Sequence, residues 1–494
     1  MKNIVARGTL YLMIAQLTIT LSGYLIHIGL ARYFGPEVYG QFGIILSLIL
    51  ITKTIFLTGT NRAVSKFISE DQENAAAIMK AGYKLQLLLI SIVLLIYLVF
   101  SERIAGLFHQ PELKNTILIS SLVVLPLGIY IIATKGYLNG IRSFRLQAFL
   151  EAGHSILKVF FALILVWLGL GLTGAVMAYV LAPLITFFMA MKLIKINKNQ
   201  GNFKIKKLFM FALPTTLFYA TITLTTDLGL LMVQNILNDI RLTGFYTSAA
   251  TIAKLSFTIF TALPMTMLPS ISSATAANNQ NLVKKYINQS FRYSLLVLLP
   301  IGAIISSLSQ EILELLYSSN YISAAPTLSI LVFGFIGFSL FMTISSFMSG
   351  AGKPQHAFWF SAVLLILAVI LYKLLIQNYG LNGAAMTILI TGLAGVAAGI
   401  IYVKRKFDTN LLKSKWKIFF ASAIVYLAAK SLNFKHLSLI WTSLNFETLS
   451  LIGKSFWIIL IIGLLNVIYL LILYLLKGIE TEDIKLIKSV FGKS

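Results

Sequence analysis

The chain contains no cysteine. Disulfide frameworks, thiol nucleophiles and cysteine-ligated centres are therefore excluded. Acidic residues are scarce: 16 Asp+Glu stand against 40 Lys+Arg in 494 residues, a formal charge of +24. Charge of either sign amounts to only 11%, less than half of the roughly one quarter usual in soluble domains. So little polar surface excludes a soluble enzyme and a disordered scaffold. Five histidines (27, 109, 154, 356 and 436) form no His-x-x-x-His or Glu-flanked pattern, so no metal site is expected. A Walker A loop is missing as well, since Gly352-Lys353 is followed by Pro354 and Phe347 stands where the leading glycine belongs. The string Gly169-Leu-Gly171-Leu-Thr-Gly174 matches the dinucleotide fingerprint in letters, but an apolar helix precedes it where a strand is required. It reads as a tight turn. No catalytic residue and no cofactor are expected.

What is abundant is apolar: 58% of residues are hydrophobic and the mean hydropathy is +0.87. The basic residues lie in short loops between apolar runs and form no basic domain, which argues for an integral membrane protein and against nucleic acid. A bilayer core needs about 20 apolar residues per helix. That ruler gives fourteen spans, at 9–31, 40–60, 83–100, 115–135, 147–169, 172–194, 208–236, 243–267, 292–310, 325–349, 357–377, 381–403, 416–432 and 455–476, with 433–454 as a loop. The apolar run Leu10–Leu30 follows Lys2 and Arg7 and ends without a cleavage pattern, so it is expected to be retained as the first span. With the amino terminus inside, inner segments hold 28 of the 40 Lys+Arg and outer segments 7, which places both termini in the cytoplasm.

The chain also repeats itself. Gly171-Leu-Thr-Gly174-Ala175 opens span six and Gly380-Leu-Asn-Gly383-Ala384 opens span twelve. Tyr39-Gly40-Gln-Phe42 at span two has a counterpart in Thr243-Gly244-Phe-Tyr246 at span eight, and Gly140 ends span four as Gly350 ends span ten. The offsets are 209, 204 and 210 residues. Near-constant offsets predict two tandem six-helix units of the same topology. The expected fold is thus an all-α polytopic membrane protein with about fourteen transmembrane helices: lobe 1–195, a basic cytoplasmic linker 196–207, lobe 208–405, and 406–494 as two additional helices with a cytoplasmic tail.

Lys53, Lys158, Asp227, Lys254 and Lys373 lie well inside apolar runs, with Lys135 and Glu151 nearer helix ends. A charge at the bilayer centre costs at least about 2.5–3.5 kcal/mol, so it faces a wet passage or a partner. Lysines outnumber the deep acid, which suggests a cationic lumen suited to an anionic substrate. Lys53 and Lys254 follow Gly40 and Gly244 by thirteen and ten residues, a difference of three that puts them on nearly the same face of repeat-related helices. For Lys158 and Lys373, snorkelling to the headgroups is an equal reading. Asp227 reads as a cation or proton site in preference to a salt-bridge partner. Arg62 and Arg142, at inner helix ends, either recruit substrate or enforce topology. Pro126, Pro183, Pro214, Pro264 and Pro300 fall inside spans as kinks and candidate hinges.

After the first span, Ala31-Arg32-Tyr33-Phe34-Gly35-Pro36-Glu37-Val38-Tyr39-Gly40 resembles the ARxLGPxxYG signature of the polysaccharide (O-antigen, capsule and teichoic acid) flippases of the multidrug/oligosaccharidyl-lipid/polysaccharide exporter superfamily. Gly136 through Phe144, Asp227, Thr243 through Tyr246 and Gly350 through Lys353 are similar to that family's landmarks, over about residues 8 to 405. The resemblance implies a non-enzymatic protein of the cytoplasmic membrane. It would move undecaprenyl-pyrophosphate-linked oligosaccharide from the inner to the outer leaflet by alternating access, alongside a polysaccharide polymerase and other pathway proteins. Lys53 and Lys254, then Lys158 and Arg62, would contact the substrate, and Asp227 would couple an ion. The alternatives are an ion-coupled multidrug or small-molecule antiporter, and a membrane polymerase or acyltransferase.

Overall fold

The computed structural model describes residues 2–194, 201–260, 271–275, 277, 279–351, 353–413, 415–431 and 450–478. Pro264, residues 196–200 of the expected linker, most of the loop 433–454 and the tail beyond 478 lie outside them. The fold is all-helical, and no strand occurs among the described residues. In chain order the α-helices are α1 (Lys2–Glu70), α2 (Ala75–Leu107), α3 (Lys114–Leu122), α4 (Val124–Ile131), α5 (Phe144–Leu165), α6 (Gly171–Leu193), α7 (Ile205–Leu237), α8 (Ile240–Phe260), α9 (Gln280–Ser307), α10 (Ser309–Leu316), α11 (Ala325–Gly350), α12 (Pro354–Phe407), α13 (Trp416–Ser431) and α14 (Ser450–Leu475). Helix α4 runs on into a π-helical stretch, Ile132–Leu138.

Nine segments among the described residues are long and apolar enough to cross a membrane. Three of them are bent double-length helices. Segment 10–70 breaks at Gly35 (φ 73°, ψ 179°), 144–193 at Gly169 and Gly171, and 355–407 at Gly380. Counting each as two crossings takes nine to twelve. Helices α8 and α13 stand where spans eight and thirteen are expected, although neither meets the length-and-apolarity standard over its described residues. Span nine starts earlier than the apolar ruler implies, because the amphipathic turns from Gln280 are already helical and are capped by Asn279, whose side chain accepts from the Leu282 amide.

The repeat is written in the backbone. Gly171 adopts φ 52°, ψ −137° and Gly380 adopts φ 56°, ψ −132°. This region is closed to residues with a Cβ, so both Gly-Leu-x-Gly-Ala motifs require glycine at the same place for the same bend.

The chain forms two compact units, residues 1–247 with 369–380, and 248–368 with 381–494. In the first, α1 packs most extensively along α5 and α7. In the second, α13 and α14 close onto α9. The Tyr469 hydroxyl donates to the Leu296 carbonyl at 3.0 Å, while Arg292 (2.7 Å) and Lys417 (3.0 Å) donate to the Gly478 and Lys477 carbonyls just past α14. Cations there satisfy carbonyls the helix end leaves open and complement its dipole.

Candidate functional site

Helix α5 carries Gln147, Glu151, His154 and Lys158 at spacings of four, three and four, which is one polar stripe along an otherwise apolar helix. The stripe meets α1 and the π-helical stretch. Ser65 donates to the Asn139 side-chain carbonyl at 2.9 Å, Asn139 donates to Gln147 at 3.2 Å, and Gln147 donates to Glu151 Oε1 at 3.0 Å. The other carboxylate oxygen of Glu151 lies 3.8 Å from Lys135 Nζ. Lys53, on the second arm of α1, stands within electrostatic reach of Lys135, Lys158 and Glu151. Lys158 places its ammonium 4.9 Å above the Tyr179 ring of α6, and His154 stacks on Tyr130 of α4 with ring centroids 5.0 Å apart. Lys53 and Lys135 thus stand near one buried carboxylate inside the first unit, with Lys158 close to Lys53. Such a group attracts a further anion, because one carboxylate cannot neutralise three lysines.

Of the residues expected at the site, Lys53 and Lys158 come together here, each half-buried. Lys135, noted only as a charge near a helix end, joins them. The π-helical stretch that carries it changes the local register, a feature common at functional sites. Arg62 is on the same helix as Lys53 but about 13 Å further along by the helical rise, with its guanidinium 4.2 Å above the Tyr219 ring of α7. One turn on, Lys66 sits over Phe67 and Phe211 and pairs with Glu70 at 2.7 Å.

Lys254 belongs to the second unit. It is half-buried, with its ammonium 5.8 Å from the Phe335 ring of α11. Lys373 is exposed.

Asp227 on α7 is buried and accepts from Thr226 Oγ1 at 3.1 Å. Tyr246 from α8 and Tyr372 from α12, both in the first unit, feel its charge. The Tyr372 hydroxyl donates to the Thr225 carbonyl at 2.9 Å. Gly229, half a turn from Asp227, leaves room for both phenols: a Cβ there would stand 2.6 Å from the Tyr372 oxygen and 2.8 Å from that of Tyr246. The arrangement is a small oxygen-lined acid site distinct from the lysine cluster. No group of three or more His, Asp or Glu side chains gathers as a metal site among the described residues.

A family model described as "Polysaccharide biosynthesis protein" matches residues 5–275, more than half of the chain, and one described as MatE matches residues 214–374. The chain is 22% identical over 411 residues to the capsular polysaccharide biosynthesis protein CapF of Staphylococcus aureus, covering 80% of this chain and 98% of that one. It is 23% identical to a protein of Haloferax volcanii described as probable low-salt glycan biosynthesis flippase Agl15, over 72% of this chain and 74% of that one. The fold is similar to that of a lipid II flippase MurJ in an inward closed conformation, with a TM-score of 0.74 at 19% identity over 94% of this chain and 98% of that one. The chain belongs to the polysaccharide biosynthesis protein family of multi-pass membrane proteins.

Proposed function

We propose that this protein is a flippase for undecaprenyl-pyrophosphate-linked oligosaccharide, carrying the headgroup from the inner to the outer leaflet of the cytoplasmic membrane for surface polysaccharide synthesis. The observation that carries this reading is the gathering of Lys53 with Lys135, Lys158 and the single carboxylate of Glu151 in a chain of the polysaccharide biosynthesis protein family. A pyrophosphate is a mobile anion, and ammonium groups on long stems can hand it on as point charges without fixing its orientation. The polyprenyl tail stays in lipid while the charged headgroup crosses, so no bond is made or broken and no catalytic residue is needed.

In this reading the lobes 1–195 and 208–405 alternate access, joined by the basic linker 196–207, and both termini face the cytoplasm. Lys53 and Lys254 are the principal contacts with pyrophosphate, with Lys158 and Arg62 as secondary ones. Asp227, with the phenols of Tyr246 and Tyr372, holds the coupling ion. A polysaccharide polymerase takes the delivered repeat units.

The test is reconstitution. Purified protein in proteoliposomes should transfer undecaprenyl-pyrophosphate oligosaccharide to the leaflet where an added glycosidase can reach it, and protein-free liposomes should not. Equal protection of the lipid with and without protein would contradict the reading. The MatE match over 214–374 favours a second reading, an ion-coupled multidrug or small-molecule antiporter. Drug resistance on overexpression, without restoration of surface polymer in a flippase-deficient host, would select that alternative.

A further inference from the structure

Glu151 is an unusual partner for the lysines around it. It is buried, and Lys135 approaches it only to 3.8 Å. Other ion pairs among the described residues are tighter, with Lys66–Glu70 and Lys114–Glu102 at 2.7 Å and Lys284–Asp408 at 3.2 Å. Only the carboxylate of this pair is buried, Lys135 being 46% exposed, and 3.8 Å is well beyond the roughly 2.7–2.9 Å of a charge-assisted hydrogen bond. Lys135 is thus half-exposed and holds no hydrogen bond to the carboxylate, so its ammonium is within reach of a ligand from outside. The carboxylate is held from the other side instead, where Gln147 donates to Oε1 at 3.0 Å as the last link of the chain from Ser65 and Asn139. That chain fixes Glu151 on α5 without using any lysine. The charges that face Glu151 are Lys53 on α1 and Lys135 on the π-helical stretch, with Tyr130 as the nearby phenol, while Lys158 stands near Lys53 and over the Tyr179 ring.

We infer that Glu151 is a resident counter-anion: it keeps Lys53 and Lys135 gathered while the site is empty, and a phosphate-bearing ligand displaces it from Lys135 on binding. This rests on the flippase reading for the identity of the ligand, but the displacement itself concerns any pyrophosphate group. An internal competitor lowers affinity in the resting state and returns to the lysines as the ligand leaves. Release on the far side then needs no new charge.

The experiment is titration of inorganic pyrophosphate into the purified full-length protein by calorimetry, for wild type, E151Q, and E151Q combined with K135A. Removal of the competing charge should tighten pyrophosphate binding of E151Q by about tenfold, the scale of one close charge–charge coupling, and K135A should reverse most of that gain. The exposed E70Q variant should match wild type. If E151Q does not remain monodisperse, E151D decides by the same criterion. Its carboxylate is one methylene further from Lys135, so it should bind more tightly than wild type.

Unchanged or weaker binding in the folded Glu151 variant overturns the counter-anion role and leaves the flippase reading standing. A second arm adds undecaprenyl pyrophosphate in nanodiscs as competitor. Failure of that lipid to displace inorganic pyrophosphate, with E151Q still tighter, overturns the flippase reading and upholds the role of Glu151. No pyrophosphate binding by any form overturns both.

Discussion

Gly40 on α1 and Gly244 on α8, equivalent positions in the two halves of the sequence repeat, stand directly against each other. A Cβ on Gly40 would fall 2.9 Å from the Gly244 nitrogen and overlap the Ile240 carbonyl oxygen, and one on Gly244 would overlap the carbonyl of Pro36. The signature residues therefore form one device. Gly35 and Pro36 bend the first helix, with proline beginning the second arm where its missing N–H costs nothing. Gly40, one turn on, lets α8 approach to backbone contact. Tyr39, beside it, bonds to His27 Nδ1 at 2.8 Å and ties the second arm back to the first.

Gly244→Ala should consequently lose about 1–3 kcal/mol, because the added methyl meets backbone that cannot turn aside. Gly106→Ala is the control: a Cβ there meets nothing within 4 Å, and the change should be neutral or slightly stabilising. Thermal unfolding of the two purified variants in one detergent checks the contrast.

The paired bends at Gly171 and Gly380 make a second prediction. Either glycine replaced by alanine must adopt a backbone region essentially reserved for glycine, costing on the order of 1–3 kcal/mol. Because the two positions have matching angles, the melting temperatures of Gly171→Ala and Gly380→Ala should fall by similar amounts. A loss confined to one of them would separate the two repeats.

Much of this was legible in the sequence. The Gly-Leu-x-Gly-Ala repeat, the apolar runs and the scarcity of charge lead to an all-helical membrane protein with internal repetition, because each signal is local and acts through helix geometry. The merging of spans into bent double-length helices was less legible, since hydropathy locates apolar stretches but not the helical turns joining them. Lys53 and Lys158 stand out as charges in apolar runs. Lys135, by contrast, owes its place to a π-helical change of register that no residue pattern announces. The spacing of Gln147, Glu151, His154 and Lys158 was a readable stripe on α5, yet its link through Asn139 to Ser65 depends on tertiary packing. The Asp227 site is a clearer case still, because Tyr372 reaches Thr225 across 147 residues of chain.

That acid site supports a third prediction. Asp227→Asn keeps the shape and removes the charge, so transport by the folded variant should lose its dependence on the driving ion gradient. Tyr372→Phe deletes the donor to the Thr225 carbonyl and should cost about 0.5–1.5 kcal/mol of stability. Transport assayed with and without an imposed gradient, together with melting curves, measures both.

The absence of cysteine makes orientation directly testable. Single cysteines at Lys406 and Lys114 need no prior removal of native thiols. With both termini inside, Lys114→Cys should react with a membrane-impermeant maleimide in intact cells, and Lys406→Cys should react only after permeabilisation. The opposite pattern would invert the topology.

The central claim is that ammonium groups carried inside the helical units conduct the anionic headgroup. Surface polymer, measured in a flippase-deleted host expressing Lys53→Ala combined with Lys254→Ala at wild-type protein levels, tests it most directly. The account predicts at least a tenfold loss of exported polymer, in line with the loss of two charge contacts to a phosphate-bearing ligand. Undiminished export by that variant would contradict it.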